Sequence, residues 1–501
     1  MADNTLAGQV RRGMGWKAAS QILRQLTRLA VIVVLARELT PAEYGLAGMV
    51  LVFSTLVLVF ADLALGAALV QRDKLTEQDR STVFWASAGA GLCFTILAYA
   101  GAGVVAGFFD APDVKPLLQA FSLTFVLTSL GTIQFALLTR ELAFRQLELR
   151  AMAASMIGAV TGITLAVNGA GAWAIIGQQL AIAGVSTTLL WITCPWHPRL
   201  MFSWTRLRDL GGFGLRVFGT RVVFYLERNV DTVLVARFLG PAATGLYTLS
   251  YNVMLVPLEQ IGGPMAEVLF PAFSKMQDDL ARLRAAWLRA VRVLAAIVAP
   301  AMALLIALAP DIIPVVFGEK WKSAVPIVQL LAFVGLQQSL MRFNSSVLQA
   351  VGRADFLLRY ALISATVCIS GFAVGLHWGV TGVAVSYTIT ATLVAPVYLV
   401  FTTRSIDMRV REFLTNVAGI MGAAVIVALL AALARVGLES AVPQAAVRLI
   451  LILPVSAVLY VLLALRFSPS LADDVMSVMP ASVKGRMLRL RPALRPAGDA
   501  T

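Results

Sequence analysis

The sequence predicts an all-α polytopic membrane protein with about fourteen transmembrane helices. Hydrophobic residues make up 59% of the chain and charged residues 14%, and the mean hydropathy is +0.82, which is too apolar for a water-soluble surface. Apolar runs of roughly 18 to 25 residues, enough to cross a hydrocarbon core about 30 Å thick, recur from Trp16 to Leu465. One segment of the chain occurs twice, which indicates that the helices form two related sets.

The bounds of the predicted spans follow the ends of the apolar runs. The spans are 16–38, 42–70, 81–108, 117–138, 151–168, 172–194, 213–238, 242–272, 286–309, 324–351, 359–377, 379–402, 413–434 and 445–465. The longest predicted external loop covers about residues 310–323.

Lysine and arginine in the connecting segments predict the orientation of the chain. They concentrate on the side that holds both termini, for example in 140–150, 404–411 and 484–495. Because cytoplasmic loops carry an excess of these residues, both termini are predicted to be cytoplasmic. The net charge of +14 therefore follows membrane sidedness and does not indicate a nucleic-acid-binding patch. The three cysteines lie in or at the ends of spans, so we expect no disulfide framework.

The repeated segment reads ARELTPAEYGL at 36–46 and ARFLGPAATGL at 236–246, with seven of eleven residues identical. Each copy joins two spans, and the copies lie six spans apart, so the repeat preserves orientation. This predicts two pseudo-symmetric six-helix lobes related by an axis along the membrane normal, followed by two additional helices. The predicted domains are 1–194 (first lobe), 195–212 (cytoplasmic linker), 213–403 (second lobe), 404–466 (accessory helices) and 467–501 (basic cytoplasmic tail).

The residues of the repeat predict a tight turn followed by a helix. In the first copy Thr40 caps the helix, Pro41 takes its first position and Glu43 completes a capping box. Gly240 and Pro241 occupy the same places in the second copy.

Polar residues form a stripe on the first predicted helix, spaced four, three and four residues apart. At 3.6 residues per turn they fall within an arc of about 60 degrees; they are Lys17, Gln21, Arg24 and Arg28. Arg28 lies about 18 Å into the span, near the bilayer midplane. An arginine at that depth costs at least about 2.5 kcal/mol, so it is expected to face a wet cavity or a partner.

The seventh predicted helix carries a similar stripe of Arg221, Tyr225 and Arg228. Pseudo-symmetry would place the two stripes on either side of a central cleft, and a deep cationic cleft is suited to an anion. Alternatives remain open for two members. Lys17 can extend to the cytoplasmic headgroups, and Arg228 can form a buried ion pair with Asp231 or Glu227.

Five carboxylates within spans are candidates for coupling transport to Na⁺ or H⁺, although each can equally neutralise a nearby arginine. They are Asp62, Glu227, Asp231, Glu259 and Glu267. Four arginines near span ends are expected to reach the headgroups, namely Arg216, Arg289, Arg342 and Arg448. The sequence contains no metal-ligand cluster, no phosphate-binding glycine loop and no nucleophile with an adjacent base, so no metal and no cofactor are predicted.

Three stretches carry a family resemblance. They are ERNVDTVLVARFLGPAATGLYTLSYNVMLVPLEQIGGPMAEVLFPAFSKMQ at 227–277, LLTRELAFRQL at 137–147 and VFGEKWKSAVPIVQLLA at 316–332. The chain resembles Wzx-type polysaccharide flippases of the multidrug/oligosaccharidyl-lipid/polysaccharide (MOP) exporter superfamily, with the colanic acid and succinoglycan exporters as the nearest branch. The resemblance extends over nearly the whole chain.

The resemblance implies a V-shaped pair of lobes in the bacterial inner membrane. It also implies transfer of an undecaprenyl-pyrophosphate-linked oligosaccharide to the periplasmic leaflet for exopolysaccharide or lipopolysaccharide biosynthesis, beside a polymerase and chain-length machinery. A flippase for the peptidoglycan lipid precursor and a drug exporter of the superfamily remain alternatives. A membrane polysaccharide polymerase or ligase is the enzyme alternative, but such enzymes need acid/base residues on an external loop, and 310–323 offers only Asp311 and Glu319.

Overall fold

Helices make up the regular structure of this protein. The computed structural model describes residues 24, 25, 27–62, 75–471 and 474, without the side chains of 55–62, 209–228 and 354. Across these residues no strand is present, which confirms the all-α fold class. The helices are α1 (27–38, with 24 and 25 also helical), α2 (Pro41–Asp62), α3 (Glu77–Phe109), α4 (Val114–Arg140), α5 (Phe144–Val167), α6 (Trp173–Thr193), α7 (Trp204–Ser274), α8 (Leu280–Phe317), α9 (Val325–Met341), α10 (Asn344–Ala350), α11 (Ala354–Gly375), α12 (Gly379–Ser405), α13 (Val410–Leu438) and α14 (Ala445–Phe467).

The helices are long and apolar enough for a multi-pass membrane protein. Ten helical stretches in the described part of the chain meet the length and hydropathy of a membrane span. Two predicted spans, 213–238 and 242–272, lie in the single helix α7, which has a non-helical residue at Gly240. The number of fourteen crossings stays a prediction.

The expectation that residues 310–323 form a loop is wrong, because most of this segment is helical. Helix α8 continues to Phe317, and a 3₁₀ helix follows from Glu319 to Ala324. Pro310 and Pro314 lie inside α8, because prolines are tolerated in membrane helices whose neighbours and local adjustments satisfy the freed carbonyls.

The chain divides into two compact units, 1–248 and 249–501, with the boundary inside α7. In the first unit α3 packs on α4 and α5 packs on α6; in the second, α8 packs on α9 and α13, and α11 packs on α12. The predicted domain bounds stay a prediction.

One apolar cluster of the first unit lies where α3, α4 and α6 meet. It contains Phe84, Ile133, Leu137 and Cys194, with Trp191 packed against it. Cys194 is buried, at 3% exposure, and serves in packing. All three cysteines are free.

The first repeated turn forms the predicted capping box. The Thr40 amide donates to Glu43 Oε2 at 2.7 Å, and the Glu43 amide donates to Thr40 Oγ1 at 3.3 Å. In the second copy Gly240 has φ 78° and ψ −175°, a conformation that glycine adopts without steric cost. Both copies therefore redirect the chain at the same register of the repeat.

The two copies of the repeat contact each other within the first unit. A Cβ atom on Gly45 would lie 1.8 Å from the Pro241 carbonyl oxygen, and one on Gly245 would lie 1.8 Å from the Pro41 carbonyl oxygen. The contact is reciprocal, as in a two-fold symmetric interface. Main-chain atoms thus touch where α2 crosses the second half of α7, and only glycine fits at either position.

We expect Gly45→Ala to destabilise the protein by at least about 1–3 kcal/mol, because the new methyl group meets a backbone oxygen that cannot rotate away. Thermal unfolding in detergent measures the effect, and Gly245→Ala should behave alike. Gly89→Ala is the matched control, since a Cβ atom there has no neighbour within 4 Å. Equal unfolding temperatures for Gly45→Ala and Gly89→Ala would contradict the close approach.

Candidate functional site

The predicted site residues fall into two groups. The side chains of Arg24, Arg28, Asp231, Glu259 and Glu267 are described. The others lie outside the described residues or side chains: Lys17, Gln21, Asp62, Arg221, Tyr225, Glu227 and Arg228. For these seven the sequence predictions stand as predictions.

The Arg28 side chain is exposed, although it lies on the same side of α1 as residues that are buried in the protein. At 100 degrees per residue, Arg24, Val31 and Leu35 lie within about 60 degrees of it, and Val31 and Leu35 are each 4% exposed. Ala30 lies roughly opposite and is exposed. The guanidinium of Arg28 is therefore accessible on the inward arc of its helix.

Arg24 lies one turn from Arg28 and forms an ion pair with Glu148 of α5 through its Nη1. The Arg24 side chain is 23% exposed and that of Glu148 is 16% exposed. The two partners of this ion pair lie 124 residues apart in the chain. No local pattern relates the two positions, so the sequence analysis missed Glu148.

Arg150 adds a second guanidinium beside this pair. It lies within electrostatic range of both Glu148 and Arg24, and its Cζ atom stands 5.2 Å from the centre of the Phe135 ring. Its Nε atom is buried and has no hydrogen-bond partner within the described part of the chain. Two described arginines thus lie within electrostatic range of one carboxylate.

Asp231 is a buried carboxylate, 4% exposed. Tyr247 Oη donates to its Oδ2 at 2.7 Å, and the Thr232 amide donates to its Oδ1 at 2.6 Å. Among the side chains that the structure describes, no lysine or arginine forms an ion pair with it. Neutral donors therefore surround the carboxylate.

Glu259 of α7 pairs with Arg342, which lies at the break between α9 and α10. Arg342 Nη2 approaches Glu259 Oε2 at 2.8 Å, and Nη1 approaches Oε1 at 3.4 Å. The expectation that Arg342 reaches the headgroups is wrong, because a carboxylate on another helix holds its guanidinium as a fork. Glu267 is exposed.

A buried ionic cluster joins α8, α13 and α14. Asp311 Oδ1 is 2.7 Å from Arg448 Nη2 and 3.2 Å from Arg435 Nε. Arg448 Nη1 also donates to the carbonyls of Val442 and Pro443. Arg448, 5% exposed, does not reach the headgroups as expected, because the cluster satisfies its guanidinium inside the protein.

Arg289 forms an ion pair with a carboxylate that follows α14, and its expected place at the headgroups stays a prediction. Its Nε atom lies 3.0 Å from Asp474 Oδ1, and Arg292 Nε lies 2.7 Å from Asp474 Oδ2. The side chain of Arg216 lies outside the description. The described residues contain no group of three or more His, Cys, Asp or Glu that would hold a metal ion.

The chain is similar in sequence to known proteins of polysaccharide biosynthesis. A family model described as "Polysaccharide biosynthesis protein" matches residues 34–326. The chain is 30% identical to the lipopolysaccharide biosynthesis protein WzxC of Escherichia coli (strain K12), over 72% of this chain and 74% of the relative. It is 27% identical to the succinoglycan biosynthesis transport protein ExoT of Rhizobium meliloti (strain 1021), over 100% of both chains.

A solved structure supports the same fold. The lipid II flippase MurJ in its inward closed conformation aligns with a TM-score of 0.73 at 17% identity, over 93% of this chain and 99% of that chain. The chain therefore shares the fold of this structure.

We expect Asp311→Asn to lower the free energy of unfolding by about 3–5 kcal/mol, because Arg448 is left buried without a carboxylate. Tryptophan fluorescence during thermal or denaturant unfolding measures this loss. Asp407→Asn is the control, since that carboxylate is 78% exposed and lies 3.9 Å from Arg284; it should change stability by less than about 1 kcal/mol. Similar losses in the two variants would show that the cluster contributes no more than a surface pair.

Proposed function

The chain belongs to the family of polysaccharide biosynthesis proteins, and we propose that it is a flippase for a lipid-linked oligosaccharide. Its substrate is an undecaprenyl-pyrophosphate-linked repeat unit, which it moves from the cytoplasmic to the periplasmic leaflet of a bacterial inner membrane. The product serves exopolysaccharide or lipopolysaccharide biosynthesis.

The exposed Arg28 on the inward arc of α1 carries this proposal. An arginine deep in a membrane helix is costly unless water, a carboxylate or a ligand satisfies its guanidinium. Arg28 has no ion-pair partner in the described part of the chain. A ligand that brings negative charge to this depth would complete the site.

A pyrophosphate suits this site by charge and geometry. Guanidinium groups bind phosphate oxygens through charge-assisted and often bidentate hydrogen bonds. Arg24 and Arg28 lie one helical turn apart, about 6 Å along the axis, which suits two linked phosphates. We propose that Arg221, Tyr225 and Arg228 contribute from α7, and that Lys17 and Gln21 line the cytoplasmic mouth.

The lipid tail and the sugar follow different routes in this proposal. The polyprenyl chain remains in lipid, because transferring it through a polar site would remove it from the hydrocarbon that solvates it. The sugar crosses through the wet interior, and alternating access opens the site to each side in turn.

Two other transported substrates are weaker candidates. A peptidoglycan lipid precursor carries the same pyrophosphate, and the resemblance in fold to MurJ is compatible with it. The sequence relatives named for polysaccharides favour the oligosaccharide. Drug exporters that move cations need a site rich in carboxylates, whereas both described members of the α1 stripe are arginines.

An enzyme is a weaker hypothesis than a transporter. A polymerase or ligase needs acid/base groups at one membrane face. Asp311, an acid of the segment 310–323, forms an ion pair with Arg448. The names of two similar proteins describe a transport protein and a flippase. We therefore propose that the chain transports its substrate without chemical change, beside a separate polymerase and chain-length machinery.

Asp231 is the strongest candidate for coupling transport to Na⁺ or H⁺. A carboxylate that is buried among neutral donors is stable when a proton or a cation neutralises it, whereas Glu259 already has Arg342. Asp62, Glu227 and Glu267 remain weaker candidates. Both termini are proposed to be cytoplasmic, from the distribution of basic residues.

Polysaccharide export by cells that lack their native flippase tests the proposal. Arg28→Ala at wild-type abundance should reduce export by at least about tenfold, because charge-assisted hydrogen bonds contribute about 1.5–3 kcal/mol each. Arg28→Lys should recover part of it, since lysine keeps the charge and loses the bidentate geometry. Lipid-linked sugar in the inner leaflet should accumulate in parallel.

Arg359→Ala is the control for loss of an exposed arginine elsewhere, and it should export normally. Normal export by both Arg28 variants would make Arg28 a structural residue and remove the observation on which the proposed substrate rests.

The coupling role of Asp231 predicts an ion-dependent stability. The unfolding temperature of the purified wild type should rise with Na⁺, exchanged for K⁺ at constant ionic strength, or with proton concentration, because a ligand that binds only the native state stabilises it. Asp231→Asn should abolish that response, while the exposed Asp278→Asn retains it. A response that survives in Asp231→Asn would assign coupling to another group.

A further inference from the structure

Arg24, Glu148 and Arg150 form a small ionic group, here called the inner cluster. Arg24 lies about 12 Å into the first predicted span, and Glu148 lies just over one turn into α5. Both helices enter the membrane from the predicted cytoplasmic side, so the inner cluster lies between that surface and Arg28. An anionic headgroup that moves inward to Arg28 meets it first.

Glu148 occupies the position that an anionic ligand would take on Arg24. A carboxylate and a phosphate present similar acceptor oxygens to a guanidinium. The pair is partly accessible, with side-chain exposures of 23% and 16%, so a ligand can compete for it. An ion pair sealed from solvent, such as Asp311 with Arg448 at 2% and 6%, offers no such access.

Arg150 adds a second guanidinium to the inner cluster. It lies within electrostatic range of Arg24 and Glu148 and is held against the Phe135 ring. Among the described side chains, one carboxylate therefore lies within electrostatic range of two guanidinium groups.

We propose that Glu148 is an internal counter-ion that competes with the substrate's pyrophosphate for Arg24. The proposal rests on the proposed function. In the empty protein Glu148 neutralises Arg24; when the pyrophosphate arrives, Arg24 exchanges the carboxylate for phosphate oxygens. When the substrate leaves, Glu148 returns to Arg24.

This exchange has a physical purpose in a carrier that must return empty. A bare guanidinium in a low-dielectric interior is unstable, so a protein without an internal counter-ion would hold its substrate tightly and reset slowly. Glu148 weakens substrate binding and removes this obstacle. Loss of Glu148 should therefore raise the affinity for the substrate and lower the rate of transport. Loss of a residue with a purely structural role would not change the two in opposite directions.

Binding of farnesyl diphosphate to the purified, full-length protein tests the exchange by calorimetry. Glu148→Gln should bind this probe about tenfold more tightly than the wild type, because a charge-assisted competitor is removed. The same variant should export polysaccharide more slowly at equal abundance. Arg24→Gln should weaken binding, and Glu148→Gln should have no further effect on that background.

Two further variants separate exchange from general effects. Glu148→Asp keeps the charge with a shorter reach, so its affinity should lie between those of wild type and Glu148→Gln, and it guards against a folding defect. Glu141→Gln removes an exposed carboxylate of the α4–α5 turn and should bind as the wild type does.

Unchanged or weaker binding by Glu148→Gln, with the wild type still binding the probe, would overturn the exchange and leave the flippase proposal intact. Equal tightening in Glu141→Gln, or tightening that persists without Arg24, would also overturn it in favour of a diffuse charge effect. If the wild type binds farnesyl diphosphate no better than farnesol, the pyrophosphate site itself fails, and the exchange fails with it.

Discussion

A guanidinium inside a membrane must be satisfied by a carboxylate, by water or by a ligand, and this requirement organises the polar part of the chain. Apolar surfaces distinguish poorly between a neighbouring helix and lipid, so they give little information about which helices should meet. Ion pairs give that information, because each charged group has few stable partners. Pairs that connect distant helices include Arg24 with Glu148, Glu259 with Arg342, and Asp311 with Arg448, separated by 124, 83 and 137 positions.

Local features of the fold could be predicted from the sequence because their causes are local. Apolar runs marked the helices, and Thr40 with Glu43 marked the start of α2, since a capping box involves residues three apart. The segment 310–323 was predicted wrongly for a related reason. The predicted span ends at 309, yet α8 continues through Pro310 and Pro314 to Phe317, because tertiary contacts decide whether a membrane helix tolerates proline.

The sequence predicted which face of α1 carries the candidate site, but it did not predict which residues form ion pairs with that face. The spacing of Arg24 and Arg28 places them on one arc of α1, and the structure keeps them there. Glu148 could not be found, because an ion pair between residues 124 apart leaves no periodic trace in a single sequence. Arg342 and Arg448 were assigned to the headgroups for the same reason. Hydropathy indicates how far along its helix a residue lies, but it does not indicate which neighbouring helix its side chain faces.

The reciprocal contact of Gly45 and Gly245 explains why both copies of the repeated segment have glycine at this position. Each glycine faces main-chain atoms of the other copy, so no side-chain change in one copy can compensate for a larger residue in the other. After a duplication, most positions can drift apart as the halves take on different tasks. At this crossing each copy is held to glycine by the backbone of the other copy.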